Sequence, residues 1–166
     1  MASKKGIVVT SIILAAITGA SFLLWVIPQD VETTFVVSDY ENYLDGVKNI
    51  HEVLQESIDL EYQNLRNGKI SPQQYIAVTE ITSSQVTTQI SEFVTSKPSE
   101  EWQTSYINYM EAMKSFNSYI IETKVLANMI ENGSTDDEIS ETLEKIDSLK
   151  MESIEFVKIS DQSRPG

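Results

Sequence analysis

The sequence predicts an all-α protein: an N-terminal transmembrane helix followed by an extracytoplasmic up-down-up-down four-helix bundle. Three observations predict it. Residues 6–27 form an apolar run without a charge. Four later segments carry apolar residues in alternating steps of four and three, the period of a packed helix seam. Each of those segments is bounded by capping residues and helix breakers.

The anchor reads from "KKGIVVTSIILAAITGASFLLWVIPQD", Lys4 to Asp30. The 22 uncharged residues from Gly6 to Ile27 span roughly 33 Å as a helix, about one hydrocarbon core. A cleaved signal has a shorter apolar stretch, about 7–15 residues, ending at a small-residue site. Thr18-Gly19-Ala20 is the best such site here, yet the apolar run continues through Phe22, Leu23, Leu24, Trp25, Val26 and Ile27. The segment is therefore expected to stay as a signal-anchor. Lys4 and Lys5 precede it, while Asp30 and Glu32 follow. Positive flanks stay inside, which puts the N-terminus in the cytoplasm and the chain after Pro28 outside the cell membrane. Ser11, Ala15 and Gly19 repeat every four residues, a small-residue face on which a second membrane helix can pack closely.

Residues 1–5 are then a cytoplasmic stub, 6–27 the anchor and 28–37 a linker that Pro28 starts by blocking the helix. The bundle follows over 38–160, and "SDQSRPG" suggests a frayed tail over 161–166. The first bundle helix is expected from Asp39 to Asn67, with Ser38 and Glu41 as capping box and Gly68 as its stop. Its stripe is Tyr40, Leu44, Val47, His51, Leu54, Ile58, Tyr62 and Leu65. The second runs from Pro72 to Ser96 behind Ser71 and Gln74 and points Tyr75, Ile76, Ile81, Val86, Ile90 and Phe93 inward. Its Ser and Thr content makes it the poorest helix former of the four. The third runs from Glu100 to Glu131 with Ser99 as cap, on the stripe Trp102, Tyr106, Tyr109, Met113, Phe116, Ile120, Thr123, Ala127, Ile130. Gly133 ends it. The fourth runs from Asp136 to Ser160, boxed by Thr135 and Glu138, with Ile139, Leu143, Ile146, Leu149, Ile154 and Val157 inward. Short connections make neighbours antiparallel and return the C-terminus toward the membrane. That proximal end collects Tyr40, Tyr43, Phe93, Trp102, Tyr106 and Phe156, expected as an aromatic core layer.

Composition closes off most chemistry. The chain has 12 Lys and Arg against 25 Asp and Glu, and removing Lys4 and Lys5 leaves the outer part at about −15. Nucleic acid and anionic lipid are poor partners for such a surface. With no Cys there is no disulfide, thiolate metal site or cysteine nucleophile, and His51 is the one histidine. No Glu stands three residues before it, since position 48 is Lys, so a di-iron bundle motif is absent. His51 with Met110 and Met113 would make a soft Cu(I) set, but the expectation is a core imidazole bonded to a nearby Ser, Gln or Asp, with Met as filler. Counting along the helices puts Ser84, Gln85, Asp147 and Ser148 level with it. Asp136–Glu138 complement a helix dipole and need hold no cation. Asn132-Gly133-Ser134 is both a helix-stop turn and an N-glycosylation acceptor at Asn132. No catalytic, cofactor or metal residue is expected.

The layout, with "SIILAAITGASFLLWVIP" as leader, resembles two groups. One is the ligand-binding half of chemoreceptor sensor domains, in which a second span and signalling region follow the bundle; this chain stops at Gly166. The other is the small single-pass helical proteins of ammonia-oxidising archaea, including accessory subunits of their ammonia monooxygenase, which share the Ile-, Ser-, Thr- and acid-rich, Cys-free style. The resemblance implies a non-catalytic accessory subunit that meets other membrane subunits through its span and bundle; the sensor-like alternative is a small-ligand binding domain, and a third is copper handling. No functional residue carries over from either group.

Overall fold

Chain periodicity becomes four helices in the computed structural model, which describes Val37 and residues 39–166. The anchor with Ser11, Ala15 and Gly19, and the linker before Val37, lie outside the described residues. Helix α1 is Tyr40–Arg66, α2 Pro72–Thr95, α3 Gln103–Asn132 and α4 Asp136–Gln162, with a 3-10 turn at Glu100–Trp102. No strand occurs among the described residues. Among them, too, no helix is long and apolar enough to cross a membrane.

Most ends follow the expected chemistry. Ser71 and Gln74 close a reciprocal capping box with Pro72 in the first turn, and Thr135 and Glu138 do the same for α4. Gly68 and Gly133 turn out of their helices at φ 65° and 69°, which a side chain would resist. Two starts differ. The cap of α1 is Asp39, whose carboxylate accepts from the Asn42 amide, one residue past the Ser38 expected as cap and without the reciprocal box expected with Glu41; Ser38 lies outside the described residues. Ser99 makes no cap bond, and its Oγ is buried without a partner; the chain first forms the 3-10 turn and enters α3 at Gln103.

Pairs across the helices give the topology. Asp45–Arg164 (2.7 Å), Lys48–Asp161 (2.7 Å) and Asp59–Lys150 (2.6 Å) run in opposite chain directions on α1 and α4. Ser105–Ser160 and Ala112–Ser153 do so on α3 and α4. Tyr75–Thr123 and Ser83–Asn117 do so on α2 and α3. The rings of Tyr43–Phe93 and Tyr62–Tyr75 complete α1 against α2. The result is an antiparallel four-helix bundle. Arg164 and Asp161 fasten the end of the chain to α1, so the segment expected to fray is held.

The core is aromatic and dense. Tyr75, Tyr109, Tyr119, Phe116, Met113, Leu44 and Ile58 are fully buried. The whole α1 stripe faces in, Tyr40 and Tyr62 partly. Helix α3 is covered on two flanks: its expected stripe lies inside from Tyr106 to Ala127, and Ser105, Ala112, Ser115, Tyr119 and Leu126 are buried as well. Ile130, at the last turn, is exposed. Two expectations reverse. Ile81 and Ile154 point to solvent, while Thr79, Thr82 and Ser153 take core positions. The threonines can do so because their hydroxyls donate to Ile76 and Val78 carbonyls of their own helix.

Candidate functional site

Three places on this scaffold have the chemistry or shape for a function: the buried histidine, a groove between α2 and α3, and the outer flank of α1.

His51 sits in the core of α1, with its ring 4.6 Å from that of Phe116. Its Nδ1 lies 2.8 Å from the Tyr109 hydroxyl, so a tyrosine on α3 satisfies it rather than a Ser, Gln or Asp. Nε2 is buried with no partner. If Tyr109 donates, the Nε2–H has no acceptor; if Nδ1–H donates, the Nε2 lone pair is bare. Either way one polar group is unmatched, and burial pushes the His51 pKa down to about 4, so the ring is neutral at pH 7. Met113 is fully buried and Met110 partly. Among the described residues no cluster of three or more His, Cys, Asp and Glu could hold a metal. The α1–α4 ion pairs also correct the expected heights. Lys48 faces Asp161 and Asp59 faces Lys150, so His51 is level with residues near Lys158. Asp147 and Ser148 lie about ten residues along, ~15 Å away. The reason is an offset: α3 and α4 run on past the α1–α2 turn.

The groove between α2 and α3 has a volume of about 430 Å³. Thr79, Ser83, Ser84, Thr87, Thr88, Ile120, Ile121 and the Glu80–Lys124 ion pair line it. Its hydroxyls are largely committed. Thr79, Thr87 and Thr88 donate to carbonyls of their own helix, and Ser83 donates to Asn117.

The outer flank of α1 carries a second seam. Gly46, Ile50, Val53, Ser57, Leu60 and Asn64 step by four and three, as the inner stripe does. Asp45, Lys48 and Asp59 turn toward α4, which puts this second seam on the opposite flank, beside α2. Ile50, Val53 and Leu60 are between 44% and 50% exposed. On α2, Ile81 is 48% exposed on the flank away from the Glu80 and Ser83 contacts with α3. On the α1 seam, Ser57 Oγ is buried without a partner. A Cβ added to Gly46 would meet nothing within 4 Å. A single stripe per helix, as expected from the sequence, leaves this seam out. A mid-helix glycine stepping in register with Ile50 and Val53 was the available signal.

Among the other sequence candidates, Asn132 is the exposed last residue of α3, beside the left-handed Gly133. Glu138 is engaged by Thr135, which holds its carboxyl below the usual range. The aromatics at the Tyr40 end form a layer as expected: Phe93 stacks on Tyr106 at 4.5 Å, and Tyr40, Tyr43 and Trp102 ring them; Phe156 is half-buried on α4 outside these ring contacts.

The fold and these faces define a small antiparallel helical bundle with a two-seamed first helix. Comparison with protein-family models, curated proteins and solved structures finds no match to this chain.

Proposed function

We propose that this protein is a non-catalytic, membrane-anchored interaction subunit of a membrane protein complex, its bundle displayed outside the membrane. The observation that carries the reading is the second seam on α1. A helix period that the described residues do not fill suits packing against another helix. The bundle interior is occupied by its own rings, including Tyr109 on His51, so what the domain offers is its outside. The apolar run over residues 6–27 and its Lys4–Lys5 flank supply the anchor and its orientation. The resemblance to accessory subunits of ammonia monooxygenase makes a multi-subunit membrane enzyme of that kind the partner class. Mild-detergent solubilisation of native membranes should recover the protein in a larger assembly and, by intact mass, with Met1 or Ala2 at its start. A soluble product beginning at Ser21 would contradict the anchor.

The α2–α3 groove favours a second reading, an extracytoplasmic binding domain for a small polar ligand. Its lining of five hydroxyl side chains and one ion pair is the supporting observation. Thermal melting against a panel of polar metabolites tests it; a stabilisation abolished by Lys124→Met would move the assignment there.

A further inference from the structure

We propose that the outer seam of α1, with the adjoining flank of α2, is the face by which two copies of this chain pair. The inference rests on reading the bundle as an interaction protein and not on the membrane anchor. Three observations select a second copy as the occupant.

The first is Gly46. Glycine inside a helix costs conformational entropy and is justified where a turn or a close approach needs it. Gly46 has a helical backbone, is exposed, and has open space where a Cβ would go. Nothing among the described residues needs it. At the start of the seam Gly46, Ile50, Val53, Ser57, Leu60 it admits the backbone of another helix close to α1.

The second is charge. The chain carries a net −13, so two copies repel through most of their surfaces. From Gly46 to Leu60 this seam has no charged residue, and neither has the α2 flank of Val78, Ile81 and Gln85. Glu56 and Glu61 stand beside it on α1 and Glu92 near its end on α2. A basic partner would gain more from the acidic faces. An acidic partner of the same sequence needs an uncharged one, since like charges placed opposite each other oppose pairing.

The third is extent. From Gly46 to Asn64 the seam runs ~27 Å along α1, and with α2 it is about two helices wide. That is the scale of a standard interface, roughly 800 Å² per partner. Alternating apolar, Gly, Ser and Asn positions can meet their own two-fold image, as an isologous contact requires.

The full chain in mild detergent tests this, because it has no Cys and single cysteines can be placed at will. Val53→Cys should crosslink into a homodimer on oxidation, while Met151→Cys, 65% exposed on α4, should not. Sedimentation should show a dimer that tightens with added salt, since salt screens the acidic bodies and leaves the apolar seam intact. Gly46→Leu should melt no lower than the parent, because the space is open and leucine is the better helix former, yet weaken pairing about tenfold or more. Chains monomeric at every concentration, equal crosslinking at both positions, or undiminished pairing of the Gly46→Leu variant would overturn the proposal. Crosslinking of Val53→Cys in native membranes to a different protein alone would also overturn the second copy as occupant, while leaving the interaction reading standing.

Discussion

Small residues mean different things on two flanks of this bundle. Along α3 and α4, Ser105, Ala112, Ser153 and Ser160 let two helices come close: the Ser153 hydroxyl donates to the Ala112 carbonyl at 2.9 Å, and Ser105 and Ser160 share a bond of 3.2 Å. Thr142 adds a contact to the Met129 sulfur. There the polar atoms are matched and the seam is closed. On the outer flank of α1, Gly46 is as small and faces open space, Ile50 and Val53 are half exposed, and Ser57 Oγ has no partner. On the proposed pairing, the other half of the close approach at Gly46 lies in a second molecule, whereas that at Ala112 lies in the chain.

Substitutions separate the two flanks, and the largest effect belongs to the closed one. Ala112→Leu forces three extra carbon atoms into a fully buried site opposite Ser153, and overpacking of that kind costs about 1–3 kcal/mol. Urea unfolding should show a loss at the top of that range; a change below about 0.5 kcal/mol would mean the α3–α4 seam is looser than described.

Next in size is the pH effect of the core histidine. The folded pKa of His51 is near 4, against 6.5 for the unconstrained side chain. Between those values the unfolded chain binds the proton and the folded chain does not. The contribution is therefore whole above pH 6.5 and is lost as pH falls toward 4, by up to about 3 kcal/mol. Carboxylates also titrate in that range, so the quantity to measure is the difference in slope between the parent and His51→Leu. Matching slopes would place the imidazole in water, contrary to its contact with Tyr109.

The smallest effect belongs to the open flank. Ser57→Ala deletes a buried hydroxyl that has no partner, so it should be neutral or stabilise the domain by about 0.5–1 kcal/mol. Measured as a melting shift, a clear destabilisation would show that Ser57 is matched after all, and the contrast between the flanks would weaken.

Much of this was legible. The inner stripe of α1, the boxes at Ser71 and Thr135 and the stops at Gly68 and Gly133 follow local rules, and local rules are what a sequence displays. The face of α2 was not, because Thr79 and Thr82 carry hydroxyls that silence themselves on their own helix and so pass as core residues. Ile81 and Ile154 look inward by hydropathy, yet Thr82 and Ser153 hold the inner positions next to them. The partner of His51 depended on the register of α1 against α3, which no single-helix period encodes. The second seam of α1 was written in the sequence, but only the absence of an internal contact at Gly46 gives it meaning.

Hydrogen exchange on the full chain, dilute in detergent and again in its native membrane assembly, tests the central claim directly. Local opening governs exchange, and a face that becomes covered opens less. Slowing concentrated in the peptides that span Gly46 to Asn64, with α4 unchanged, is the predicted result. Slowing confined to α4, or none in α1, would contradict it.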